Sequence, residues 1–137
     1  MKITKEILDL YNNYLENDID IEDIFLVPER LRYLLIDKYI DLYNIIVNYS
    51  VIELDELIRN NNKKIMIGLI LILGHMSDIL FYNTKREFYN DDKVIFICYN
   101  LLNNIDITTL NDKEFIVTYI LFTSKGNIND GIYMKKL

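Results

Sequence analysis

The side chains able to do chemistry are few, and most stand apart. The 137 residues include one His (His75), one Cys (Cys98) and no Trp. His75 is followed by Ser77 and Asp78, so a nucleophilic triad is the first chemistry to weigh. A triad needs a hydroxyl and a carboxylate to reach the two nitrogens of one imidazole. On a helix His75 and Asp78 are neighbours at i, i+3, while Ser77 points elsewhere. No G-x-S-x-G elbow accompanies them. The spacing predicts a partly buried His bonded to a local carboxylate. Cys98 has no second Cys to pair with, which excludes an internal disulfide and a Cys-rich zinc site. It reads as a packing residue.

Two other patterns suggest ligands. Asp18-Ile19-Asp20-Ile21-Glu22 resembles the start of a calcium loop, and Glu29 falls at loop position twelve. Position six is Asp23, where the sharp turn needs Gly, and Ile24, Phe25, Leu26 and Val27 follow. The stretch reads as a solvated acidic loop. Gly68 and Gly74 lie inside an apolar run with no Lys-Ser/Thr pair after them, so they form no phosphate loop. Close helix–helix approach is the expected reason for them, offsetting a helix cost of about 1 kcal/mol each. No metal or cofactor is expected, and no catalytic constellation is written in the chain.

Composition narrows the classes further. The chain has 24 Ile, 19 Leu, 16 Asn and 11 Tyr, but no Ala, no Gln and one Pro. That bias matches A/T-rich codons, as in the genomes of large DNA viruses and some parasites. The net charge is −6. Residues 1–60 hold thirteen acidic and six basic residues, and residues 61–137 hold eight and nine. An acidic chain with no Lys/Arg block does not suit nucleic acid. The opening MKITKEILDLYNN lacks a signal-peptide core. The apolar stretch Ile65–Gly74 spans about 15 Å of helix, roughly half a bilayer core. The expectation is a soluble cytoplasmic protein with no membrane span.

The elements that hold these residues read as helices. Thr4 is the expected cap of a first helix, with Ile7, Leu8, Tyr11, Tyr14 and Leu15 on one stripe. Pro28 suits a helix first turn. Leu31, Leu34, Leu35, Tyr39, Leu42, Tyr43 and Ile46 then share a face opposite Asp37, Lys38 and Asp41. Ser50-Val51-Ile52-Glu53 is a capping box, opening a short helix with Leu54, Leu57 and Ile58 inward. Asn60-Asn61-Asn62 stops it. The next segment, about 63–81, is apolar all round in its middle and belongs at the centre of a bundle. Thr84-Lys85-Arg86-Glu87 is a second box, and Asp91 or Asp92 caps a segment with Val94, Ile97, Leu101 and Leu102 on one face. Asn111-Asp112-Lys113-Glu114 caps the last helix, which Gly126 can end in the left-handed conformation. Residues 94–99 and 115–122 also read as buried strands; the caps favour helix. The expectation is an all-α single domain over 1–137, six or seven helices around the central one, with a tail at 127–137.

The order of these features resembles the viral Bcl-2-like proteins, particularly the soluble, tail-less poxvirus branch. An amphipathic helix (31–47) leads to a short capped helix (51–59), a polar break (60–64) and a central apolar helix (65–81). Ile67-Gly68-Leu69 matches a step common in that branch, and the likeness covers residues 31–104. Where the cellular family has Asn-Trp-Gly-Arg, this chain has Asn62-Lys63-Lys64. Lys64 offers a point charge there without the guanidinium fork.

The resemblance implies a non-catalytic protein that inhibits host apoptosis or innate-immune signalling through NF-κB or interferon induction. Its partners are host pro-apoptotic proteins bearing an amphipathic helix, or innate-immune signalling adaptors, and a homodimer is compatible with it. An apolar groove would take a partner helix at i, i+3, i+4 and i+7. Leu42, Ile46, Ile52 and Leu57 are the expected floor and Lys64 the charged contact; each is also readable as an ordinary core or surface residue. The alternative is a small acidic helical accessory subunit of a larger viral or cellular assembly.

Overall fold

A computed structural model of the chain describes residues 2–16, 28–81 and 84–126. The acidic stretch 18–27, the side chains of Leu31, Leu34 and Leu35, and the expected tail at 127–137 lie outside the described residues. All regular structure among the described residues is helical. Helix α1 is Ile3–Tyr11, prolonged by a π-helical turn at Asn12–Glu16; α2 is Pro28–Val47 and α3 is Val51–Ile58. Helix α4 runs through Lys63–Ile70, a π-helical stretch Leu71–Met76 and Ser77–Leu80. Helix α5 is Asp91–Asn104 and α6 is Asp112–Lys125, with 3-10 turns at Lys85–Phe88 and Ile107–Thr109. Both segments that also read as strands are helical.

Helix α4 is the axis of the bundle. Every residue from Ile65 to Ser77 is buried, and α1, α2, α3, α5 and α6 all pack on it. A helix without a polar side can only be stable when surrounded in this way. The wrapping helices supply one face each. Helix α1 buries Ile7, Leu10, Tyr11, Tyr14 and Leu15; α2 buries Tyr39, Leu42, Tyr43 and Ile46 while Asp37, Lys38 and Asp41 face water. Helix α5 buries Val94, Ile97, Cys98, Leu101 and Leu102, so Cys98 is a packed core residue. These side chains join in one continuous core.

The glycines of α4 mark where its neighbours come closest. A Cβ on Gly68 would stand 2.6 Å from Ile7 Cγ2 and 3.2 Å from the Ile7 carbonyl oxygen. One on Gly74 would meet Leu121 Cδ2 at 3.3 Å and Val94 Cγ2 at 3.5 Å. Close approach is therefore the geometric reason for both, with Gly68 held against backbone.

Two capping boxes form where the sequence places them. Ser50 Oγ accepts from the Glu53 N–H at 3.2 Å, and the Ser50 N–H donates to Glu53 Oε1 at 3.1 Å. Asn111 and Glu114 make the same reciprocal pair at 2.9 and 2.8 Å. Between α3 and α4, Asn61 takes a left-handed φ of 54°, which Asn tolerates better than most residues. Asn62 then caps α4, its side-chain oxygen accepting from the Lys64 and Ile65 N–H groups.

Four local expectations need correction. Helix α1 begins ahead of Thr4, with Lys2 at the cap position and no side-chain cap. Thr84 forms no capping box; its hydroxyl donates back to the Phe81 carbonyl at 2.8 Å, closing α4 instead of opening a helix. Asp91 and Asp92 occupy the first turn of α5 and Asn90 the cap position, again without a side-chain cap. Gly126 is extended (φ −92°, ψ −168°), and its N–H closes α6 onto the Phe122 carbonyl.

Candidate functional site

The three side chains that suggested a triad go to three different partners. His75 lies in the π-helical stretch of α4 and shares a hydrogen bond from Nδ1 to the Tyr14 hydroxyl at 3.3 Å. The two rings meet edge to face, 5.5 Å between centroids. Ser77 pairs with the Tyr43 hydroxyl at 2.9 Å. Asp78 receives the Lys125 ammonium from α6. The expected local carboxylate partner of His75 is thus engaged by a distant lysine. Burial, with the nearby Tyr39, drives the Tyr14 phenol far above its ordinary range, and burial raises that of Tyr43. Both hydroxyls stay neutral and act as structural hydrogen-bonding groups. Among the described residues no group of three or more His, Cys, Asp or Glu is placed to hold a metal ion.

The most buried acid is one the sequence offered only as a cap. Glu114 is fully buried in the first turn of α6. Its Oε1 accepts from the Asn111 N–H at 2.8 Å and from Lys63 Nζ at 3.0 Å, and its Oε2 from the Tyr11 hydroxyl at 2.7 Å. Lys63 also donates to the Thr109 carbonyl at 2.7 Å. Burial pushes this carboxyl upward, but the Asn111, Tyr11 and Lys63 bonds together outweigh it and hold it below the usual range. One side chain thereby ties α1, α4 and α6 together. Beside it, Lys64 places its ammonium 5.5 Å from the Tyr11 ring centroid. On the α1–α2 side, the Tyr39 hydroxyl donates to Asp9 Oδ2 at 3.0 Å and accepts from Asn13. Burial, chiefly, pushes the Tyr39 phenol up to about 12.

The five residues expected at a partner groove are not on one surface. Leu42 and Ile46 point into the core, 2% and 0% exposed. Leu57 and Lys64 are half-buried. Ile52 stands out on α3 at 73% exposure, next to exposed Val51. Glu53, Asp55 and Glu56 on the same short helix also face water. The free half of α3 is therefore an apolar pair set among carboxylates, and it is the part of the expected groove that a partner can touch. Further large apolar side chains are exposed at Tyr33 on α2, Phe88 and Tyr89 in the turn before α5, and Phe115 and Ile116 on α6.

Sequence reasoning missed the Lys63–Glu114 and Lys125–Asp78 pairs, whose members lie 51 and 47 residues apart. The only signal for either was the Asn111–Glu114 box, which marked Glu114 as a cap but not as a buried ion. No helix among the described residues is long and apolar enough to cross a membrane. No family model, curated protein or solved structure matches the chain.

Proposed function

We propose that this chain is a Bcl-2-like binding protein of viral type that acts by holding host proteins, without catalysis. The observation that carries this reading is α4, a helix buried from Ile65 to Ser77 and wrapped by the five others. That is the arrangement a Bcl-2-like bundle requires. The partners in this reading are pro-apoptotic proteins that present an amphipathic helix, or innate-immune signalling adaptors, met in the host cytoplasm. Docking uses the exposed half of α3, where Val51 and Ile52 offer apolar anchors at helical spacing from Asp55 and Glu56. Leu42 and Ile46 belong to the core in this reading, and half-buried Lys64, near the Tyr11 ring, is a separate cation.

The test is recovery of host partners on the purified chain, followed by titration with pro-death helix peptides. Micromolar or tighter peptide binding selects the anti-apoptotic role. Recovery of signalling adaptors without peptide binding selects the immune-modulating role. A second reading, an accessory subunit of a larger assembly, draws support from apolar side chains exposed on four separate elements. It predicts an obligate partner, and a purified chain that is a stable monomer or dimer counts against it.

A further inference from the structure

Three helices meet at one buried amine. Lys125 closes α6, and its side chain is only 3% exposed. Its ammonium donates to Asp78 Oδ1 at the end of α4 and lies 3.6 Å from Asp91 Oδ1 in the first turn of α5. The Phe88 ring stands 5.6 Å from it. Two carboxylates thus share one cation. The Asp91 Oδ1 atom is buried and has no hydrogen-bond partner.

Among the described residues, the surroundings do not correct the imbalance. Glu87 in the 3-10 turn acts on both carboxylates, and Asp92 on Asp91, with the same sign of charge. Arg86 in that turn is held over the Phe81 ring at 4.2 Å. Among the described side chains of α2, the neutral Tyr43 hydroxyl, bonded to Ser77, is the group that faces the cluster. Lys93 on α5 is turned to the Val47 carbonyl.

We propose that Lys125, Asp78 and Asp91 form a proton-operated clasp, which tightens on the end of α6 when one of its two carboxyl groups takes up a proton. At neutral pH the cluster holds one negative charge more than its amine balances, around a buried ammonium and two carboxylates that are 30% and 23% exposed. A proton on either carboxyl removes that excess and leaves the other to pair with the amine. Burial, first, and then the neighbouring acids raise both carboxyls above their ordinary range against the pull of Lys125. The folded cluster therefore binds a proton more tightly than the unfolded chain does. Its contribution to stability rises as pH falls from neutral through the raised native values, and levels off near the ordinary Asp value of about 3.9. This is opposite in sign to most paired carboxylates.

The test is amide hydrogen exchange followed by NMR at about pH 7 and about pH 5, corrected for intrinsic exchange. The wild-type amides of 120–126 and 94–95 are expected to gain protection in acid. Asp91→Asn is expected to show the acid level of protection at both pH values. In the wild type, carboxyl resonances of Asp78 and Asp91 should titrate above the ordinary range. Wild-type protection that stays flat or falls in acid overturns the proposal. So does an Asp91→Asn protein less protected than wild type at neutral pH, or two carboxyl midpoints at or below the ordinary Asp value.

Discussion

Replacing Glu114 by Ala should cost the fold about 3–5 kcal/mol, the range for breaking a buried ion pair from one side. The acid is fully buried, and its two oxygens serve three donors. Its loss takes from the buried Tyr11 hydroxyl its 2.7 Å charged acceptor, a hydrogen bond of about 1.5–3 kcal/mol. It also removes half of the α6 capping box, an effect of about 1 kcal/mol. Lys63 moderates the total, because its side chain is 29% exposed and keeps the Thr109 carbonyl as an acceptor. Glu114→Gln keeps the shape and one acceptor, and should lose less than half as much. Urea unfolding at neutral pH measures both. The pH dependence adds a second check. The native carboxyl is held below its usual range, so its contribution is complete above the unfolded value of about 4.3 and is lost as pH falls through the lower native value. Wild-type stability should fall in that acid window more steeply than that of Glu114→Gln. A Glu114→Ala loss under about 1 kcal/mol would refute the view that this carboxylate ties three helices together.

Gly68→Ala should destabilise by up to about 2 kcal/mol, since a Cβ pressed on Ile7 costs about 1–3 and the gain in helix propensity returns about 1; thermal unfolding reads it, and a raised midpoint would contradict the close approach. Ser50→Ala should cost about 1 kcal/mol through loss of the α3 cap, seen as a lower urea midpoint. Ile46→Ala should cost about 2–5 kcal/mol by opening a cavity in the core, whereas Ile52→Asp should stay within about 0.5 kcal/mol of wild type. Equal losses at the two positions would show that α3 is not exposed as described.

Much of the fold is legible because local chemistry and global packing agree. The run from Ile65 to Leu73 has no polar side, so it must be surrounded. The Ser50–Glu53 and Asn111–Glu114 boxes are complete within four residues and need nothing from elsewhere. One cap that failed had a competitor: the Thr84 hydroxyl is taken by the Phe81 carbonyl. The π-helical stretch at Leu71–Met76 leaves no signature in residue types, since it is a backbone adjustment inside an apolar run. The site was less legible than the fold. A 3.6-residue period placed Leu42 and Ile46 on one face of α2, but could not say that α4 covers that face. For α3, Leu54 and Ile58 turn inward, which leaves Ile52 outside. The charge pairs of Lys63 and Lys125 depend on which helix ends meet, and composition carries no information about that.

In the proposed function the chain works by binding through the exposed half of α3. Calorimetric titration of the purified chain with pro-death helix peptides, and with any signalling adaptor it recovers, tests this most directly when wild type and Ile52→Asp are compared. Saturable binding of one of these partner classes is expected, weakened about tenfold or more by Ile52→Asp with the unfolding midpoint unchanged. Binding that is indifferent to Ile52→Asp, or a folded chain that takes neither class of partner, would contradict it.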